Sequence, residues 1–256
     1  MVKVRETTPI FETPEEPRRE GAGGRDWTWL MAAAGVAIVV WAVGLTLFIG
    51  ELIPPIVLYG LLFLISIPLS LRGVKGARVY LLVISILGLL TTLLFSGPDL
   101  LHPESALGFI FGLVPAVGTG LGITAALGGM QRWSMISARR VGSAAVAILI
   151  GGIAVSLVAA ASLTSDVAQP GDVVVRALEV EFRPTAISAS PGTVGVLVDN
   201  EDPFRHTFAI SELGVNVELP AGTARRVELQ AEAGTYTYVC TVPGHEDMRG
   251  TLVVDG

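Results

Sequence analysis

The chain has 256 residues, 51% of them hydrophobic and 16% charged, with a mean hydropathy of +0.64 and a formal net charge of −6. Such a composition is too apolar for an ordinary soluble domain and calls for membrane segments; nucleic acid is not expected as a partner. One cysteine, Cys240, excludes an intrachain disulfide framework, leaving a buried thiol, a reactive thiol or a ligand.

The first 26 residues, with Pro9, Pro14, Pro17 and the glycine-rich run from Gly21 to Gly24, read as a disordered tail. The apolar stretch that follows is too long for the core of a signal peptide, so the first helix is expected to stay in the mature protein. A helix needs roughly 20 apolar residues to cross a hydrocarbon core. Five stretches within residues 27–164 approach or meet that length: Trp27 to Ile49, Leu52 to Leu71, Val79 to Ser96, Ser105 to Gly129 and Ser143 to Leu163. Pro54 and Pro55 suit the first turn of the second helix, where a missing N–H costs nothing.

Positive charge alternates between the loops. The tail carries Lys3, Arg5, Arg18, Arg19 and Arg25; the second loop Arg72, Lys75 and Arg78; the fourth Arg132, Arg139 and Arg140. The first and third loops carry none. Because cytoplasmic loops are enriched in Lys and Arg, this pattern places the N-terminus in the cytoplasm and, after five spans, the C-terminal domain outside. All three histidines, His102, His206 and His245, fall outside the spans, so the bundle cannot hold haem through paired histidines. It reads as an anchor or as a docking surface for another membrane subunit, and His102 as a solvent-facing loop residue.

Residues 165–171 read as a short linker, and residues 172–256 alternate like short strands broken by turns. Seven or eight strands in that length predict an antiparallel, Greek-key sandwich whose end loops bring distant residues together. Cys240 closes one strand, His245 follows after four residues and Met248 after two more, while His206 comes from the upstream segment NEDPFRHTFAI. Two imidazoles, a thiolate and a thioether are the donors of a blue-copper electron-transfer site.

With HTF at His206–Phe208, YVCTVPGH at Tyr238–His245, Met248, and GTLVV at Gly250–Val254, residues 172–256 resemble a cupredoxin of the plastocyanin and azurin kind. The resemblance implies an all-β sandwich holding one type 1 copper, with His206, Cys240 and His245 in the trigonal plane and Met248 axial. It also implies electron transfer through the more exposed histidine of the Cys-His-Met loop, His245. Many members have three or four residues between that His and the Met, where this chain has two, which puts the Met248 distance in question; Glu246 or a backbone carbonyl is the lesser axial alternative. The two-residue gap also resembles the binuclear copper site of cytochrome oxidase subunit two. That site needs a second cysteine four positions before Cys240, where Tyr236 stands.

The expected function is a membrane-anchored, extracytoplasmic one-electron carrier rather than an enzyme. A catalytic copper would need further histidines, and only His102 remains. From residue 165 onward six Arg face fourteen acidic residues, which suits a redox partner with a basic face, such as a cytochrome c or a terminal oxidase module. The alternatives are a copper-delivery protein and a non-catalytic subunit of a membrane respiratory complex.

Overall fold

A computed structural model describes residues 22–256; the N-terminal tail up to residue 21 lies outside the described residues. Five helices come first: α1 (Ala22–Ile49), α2 (Pro54–Leu71), α3 (Ala77–Ser96), α4 (Ala106–Met130) and α5 (Met135–Ala161). Each is long and apolar enough to cross a membrane. Helix α1 therefore starts inside the segment read as tail, and α5 starts eight residues before the expected Ser143. Ser134 explains the second difference: its side chain accepts the Ser137 N–H and caps α5, so the helix takes in Arg139 and Arg140 ahead of the apolar run.

Helix α4 lies at the centre, packed against α1, α3 and α5. Small residues make this possible. A Cβ at Gly122 would stand 2.3 Å from Ser85 Oγ on α3, and one at Gly128 would stand 2.6 Å from the Trp27 ring on α1. Close backbone approach of this kind is how helices associate where no hydrophobic effect separates them from lipid.

The remainder is a sandwich of nine strands: β1 (Val173–Leu178), β2 (Glu181–Arg183), β3 (Ala186–Ala189), β4 (Gly192–Asn200), β5 (His206–Ile210), β6 (Val215–Leu219), β7 (Ala224–Ala231), β8 (Gly234–Val239) and β9 (Arg249–Val254). One sheet has the order β2-β1-β4-β7 and the other β3-β9-β8-β5-β6. Both are mixed, which corrects the expectation of purely antiparallel pairing: β1 lies parallel to β4, and β3 parallel to β9. The crossing from the first sheet to the second between β2 and β3, and back before β4, produces these parallel neighbours.

The run VVVRALEVEF, which alternates like one strand, is a hairpin. Glu179 and Val180 turn it with left-handed backbones, φ 58° and 59°, and the Asp202 carboxylate accepts both of their N–H groups at 2.7 and 2.9 Å. Between the sheets lie Val175, Phe182, Val196, Phe208, Leu219, Tyr238 and Leu252, all fully buried. Phe182 meets Phe208 and Tyr238 edge-on, at centroid distances of 5.8 and 5.3 Å. Each such side chain contributes about 1.5–3 kcal/mol on burial, enough to make the end loops of the sandwich a rigid mount.

The linker is tied down. Asp166 N donates to Ala224 O at 3.0 Å, Ser165 Oγ accepts from Ala224 N, and the Asp166 carboxylate accepts from Arg226 N at 2.9 Å. The chain leaving α5 thus runs against β7 instead of swinging free.

Candidate metal centre

Strands β5 and β8 are antiparallel neighbours, with Ala209 opposite Val239. The start of β5 therefore meets the end of β8, which brings His206 and Thr207 beside Cys240. Beyond Cys240 the chain makes a closed loop: His245 N donates to Val242 O, Met248 N to His245 O, and Cys240 N to Met248 O at 2.9 Å. Gly244, at φ 90°, supplies the left-handed residue that this turn needs.

Three donor atoms converge. His206 Nδ1 and His245 Nδ1 are 3.1 Å apart, and Cys240 Sγ lies 3.8 Å from the first and 3.7 Å from the second. A triangle with those sides has its circumcentre about 2.1 Å from each corner, which matches metal–imidazole bonds near 2.0–2.1 Å and falls slightly inside a metal–thiolate bond. The donors are thus spaced for one ion. They form a group of His and Cys side chains able to hold a metal. Met248, 1% exposed, is buried in the same loop as Cys240 and His245.

The surroundings favour ligation. The other face of His206 is held by Asp202, whose Oδ2 is 2.8 Å from Nε2; donating the Nε2 proton to that carboxylate leaves the Nδ1 lone pair facing the cluster. Burial lowers the pKa of His206 below the ordinary imidazole value, more than the Asp202 charge raises it. His245 is also lowered, first by burial and then by the neighbouring His206, while Asp99, Asp202 and Glu246 pull the other way. Both shifts favour the neutral ring, the form that binds metal. Burial opposes ionisation of Asp202, yet hydrogen bonds from Val180 N, Glu179 N and His206 outweigh it and leave its pKa lowered.

The sulfur is held by Thr207. Its backbone N–H points at Cys240 Sγ at 3.4 Å, and its Oγ1 accepts the Thr241 N–H at 2.7 Å, bracing β5 against the loop. Asn200, fully buried, donates from Nδ2 to Phe204 O and Leu219 O at 2.9 Å and to Pro220 O at 3.1 Å, and its Oδ1 accepts from Asp202 N. That fixes the segment carrying Asp202 and His206. Sequence reasoning picked NEDPFRHTFAI for its histidine and overlooked Asn200, Asp202 and Thr207; the available signal was an acid four residues before a candidate ligand in a turn.

Other residues sit elsewhere. Glu246 is exposed and its Oε1 accepts the Gly244 N–H. His102 pairs with Glu104 at 2.9 Å, apart from the cluster. Phe208 packs in the core with Phe182 and Tyr238, and Phe204 is turned toward Phe48 and Phe111 of the bundle.

Residues 148–254 match the family model described as a cupredoxin-like domain. Among solved structures, an oxidised point mutant of amicyanin is similar, with 25% identity over 35% of this chain and 87% of that one and a TM-score of 0.30. The copper-containing nitrite reductase of Thermus scotoductus SA-01 is 21% identical over 37% of this chain and 25% of its own, TM-score 0.30. The metal-binding domain of the Cu(I)-exporting P-type ATPase of Streptococcus pneumoniae D39 is 14% identical over 36% and 95%, TM-score 0.31. No curated protein sequence matches the chain. The C-terminal part of the chain is thus a cupredoxin-like domain, the cofactor it implies is copper, and the His206, Cys240 and His245 group fits a type 1 site.

Proposed function

We propose that the protein is a membrane-anchored one-electron carrier in which His206, Cys240 and His245 hold a single copper ion and Met248 supplies a weak fourth contact. The observation that carries this is the three-atom triangle, closed by donors from two strands and sized for one ion. Bound there, copper would supply a Cu(II)/Cu(I) couple, since thiolate and imidazole donors together accommodate both oxidation states.

The chain's own residues provide the rest. Thr207 N–H, aimed at the sulfur, withdraws charge from the thiolate and holds its direction. Asp202 keeps the His206 ring in one tautomer and orientation. The sandwich core beneath Cys240 and the hydrogen-bonded loop above it limit how far the donors move between oxidation states, and a small rearrangement is what makes electron exchange fast.

We read the chain as a carrier rather than an enzyme because His102, its remaining histidine, pairs with Glu104 away from the cluster. Five apolar helices support an integral membrane protein, and the loop charges support a cytoplasmic N-terminus with the copper domain outside. An acidic domain supports a partner with a basic face, such as a cytochrome c or a terminal oxidase module.

The test is the absorption and EPR spectrum of the purified chain loaded with Cu(II). An intense thiolate-to-copper band at about 600 nm with narrow copper hyperfine splitting, both absent in Cys240→Ser, is expected. Weak absorption with ordinary tetragonal EPR would overturn the carrier reading and favour copper delivery.

A further inference from the structure

The two residues just ahead of His206 leave the sandwich and touch the helix bundle. The Phe204 ring lies 6.0 Å from Phe48, at the end of α1, and 6.4 Å from Phe111, in the second turn of α4; those two rings are themselves 5.7 Å apart. Three aromatic rings from three segments thus form one cluster. Beside it Arg205, 7% exposed, places Nε 2.7 Å from Asp99 Oδ1 in the turn between α3 and α4, while its Nη1 reaches Glu218 of β6 at 3.3 Å. The guanidinium bridges a carboxylate of the bundle and one of the sandwich, so parting the two units breaks the Asp99 pair and the aromatic contacts together.

These contacts lie at the metal centre. Arg205 adjoins His206, whose ring centroid is 4.8 Å from that of His245. The end of the sandwich that bears the donors is therefore the end facing the bundle, and the linker bound along β7 holds the opposite sheet.

We infer that Phe204 and Arg205 clasp the metal-bearing end of the sandwich onto Phe48, Phe111 and Asp99, and that this clasp restricts the approach of soluble redox proteins to His245. Of the two partner types proposed above, a terminal oxidase module seated in the membrane beside the bundle lies level with the imidazole, whereas a freely soluble cytochrome c has to enter between the sandwich and the outer ends of the helices. The access half of this inference rests on the electron-carrier reading; the clasp does not.

The test separates the two. In full-length protein carrying Cys240→Ser, which needs no metal and removes the native thiol, nitroxide labels at Glu51→Cys in the α1–α2 loop and Glu232→Cys in the turn after β7 report the distance between bundle and sandwich. A single narrow distance distribution is expected, broadening when Phe48→Ala and Asp99→Asn are added. A broad distribution without those changes, or one that stays narrow with them, overturns the clasp. In copper-loaded protein with native Cys240, the same two substitutions should raise the second-order rate of exchange with a soluble cytochrome c by about tenfold. An unchanged rate alongside a broadened distance distribution overturns the access role and leaves the clasp standing. Absence of the 600 nm band would defeat the carrier reading without touching the distance result.

Discussion

Asp202 Oδ2 and His206 Nε2 stand 2.8 Å apart, a carboxylate and an imidazole both withdrawn from solvent and four residues apart in the chain. The same carboxylate accepts the N–H groups of Glu179 and Val180 in the left-handed β1–β2 turn, so one side chain ties a hairpin to a candidate metal donor. Asp202→Asn removes the charge and keeps the size. Copper(II) affinity is expected to fall about 10–100-fold, measured by competition titration, since partners behind a ligating histidine carry effects of that order. The reduction potential should rise, because a negative charge near the site favours the more positive oxidation state. A purely structural role would lower the unfolding midpoint and leave the potential where it was.

Acid should weaken the metal-free protein through its two histidines. Burial lowers the pKa of both in the folded state, so the unfolded chain binds more protons as pH drops below the ordinary imidazole value. Stability from this source is fully present above about pH 6.5 and is lost as pH falls through the folded values, at most about 1.4 kcal/mol per pH unit for each ring. Urea midpoints of the sandwich, read by pulsed hydrogen exchange of the β4 and β9 peptides, should fall between pH 7.5 and 5.5, and fall less in His245→Gln. Copper-loaded protein should resist the same change until the metal leaves, because bound imidazole nitrogen cannot take up the proton.

Met248 offers a way to tune the site without dismantling it. The residue is fully buried, and its backbone N–H and C=O are engaged by His245 O and Cys240 N, so the loop does not depend on the side chain for its path. Met248→Leu is nearly volume-conserving and should cost less than about 1.5 kcal/mol. Removing the proposed thioether contact makes the site more apolar, which favours the less charged Cu(I); the potential should rise while the band near 600 nm survives, as cyclic voltammetry and absorption would show. Loss of copper binding would mean that Met248 is needed for retention and not only for tuning.

The parts of this arrangement that sequence revealed are local ones. Cys240, His245 and Met248 occupy one nine-residue stretch whose loop closes on itself, and the five apolar runs need only length and hydropathy to be recognised. Alternation marked the segments as strands, but it does not specify neighbours, so the parallel pairs of β1 with β4 and β3 with β9 stayed hidden. The β1–β2 turn was missed because neither Glu179 nor Val180 is a residue that favours a left-handed backbone; the stabilising carboxylate comes from Asp202, more than twenty positions away. Phe204 and Arg205 were equally opaque, since their partners Phe48, Phe111 and Asp99 belong to the bundle.

Gly250 tests how the core transmits to the metal centre. It pairs with Tyr238 across β8 and β9, and a Cβ there would stand 2.2–2.3 Å from the outer atoms of the tyrosine ring. That ring has nowhere to go: it is fully buried, packed against Phe182 and Phe208, and its hydroxyl donates to Pro184 O at 2.8 Å. Burial pushes the phenol up to about 12, so the proton that makes this bond is retained across the working range of the protein. Gly250→Ala should therefore cost about 1–3 kcal/mol as an overpacking change. Because Tyr238 lies on β8 two residues before Cys240, which directly follows the strand, its displacement should also shift the thiolate-to-copper band. Gly234→Ala in β8 is the matched control: its nearest neighbours would be 3.7 Å from the added carbon, and a change within about 0.5 kcal/mol with an unmoved band is expected. Equal tolerance of alanine at both positions, measured by urea unfolding and absorption on the same samples, would show that the Tyr238 ring can yield and that the site does not depend on its position.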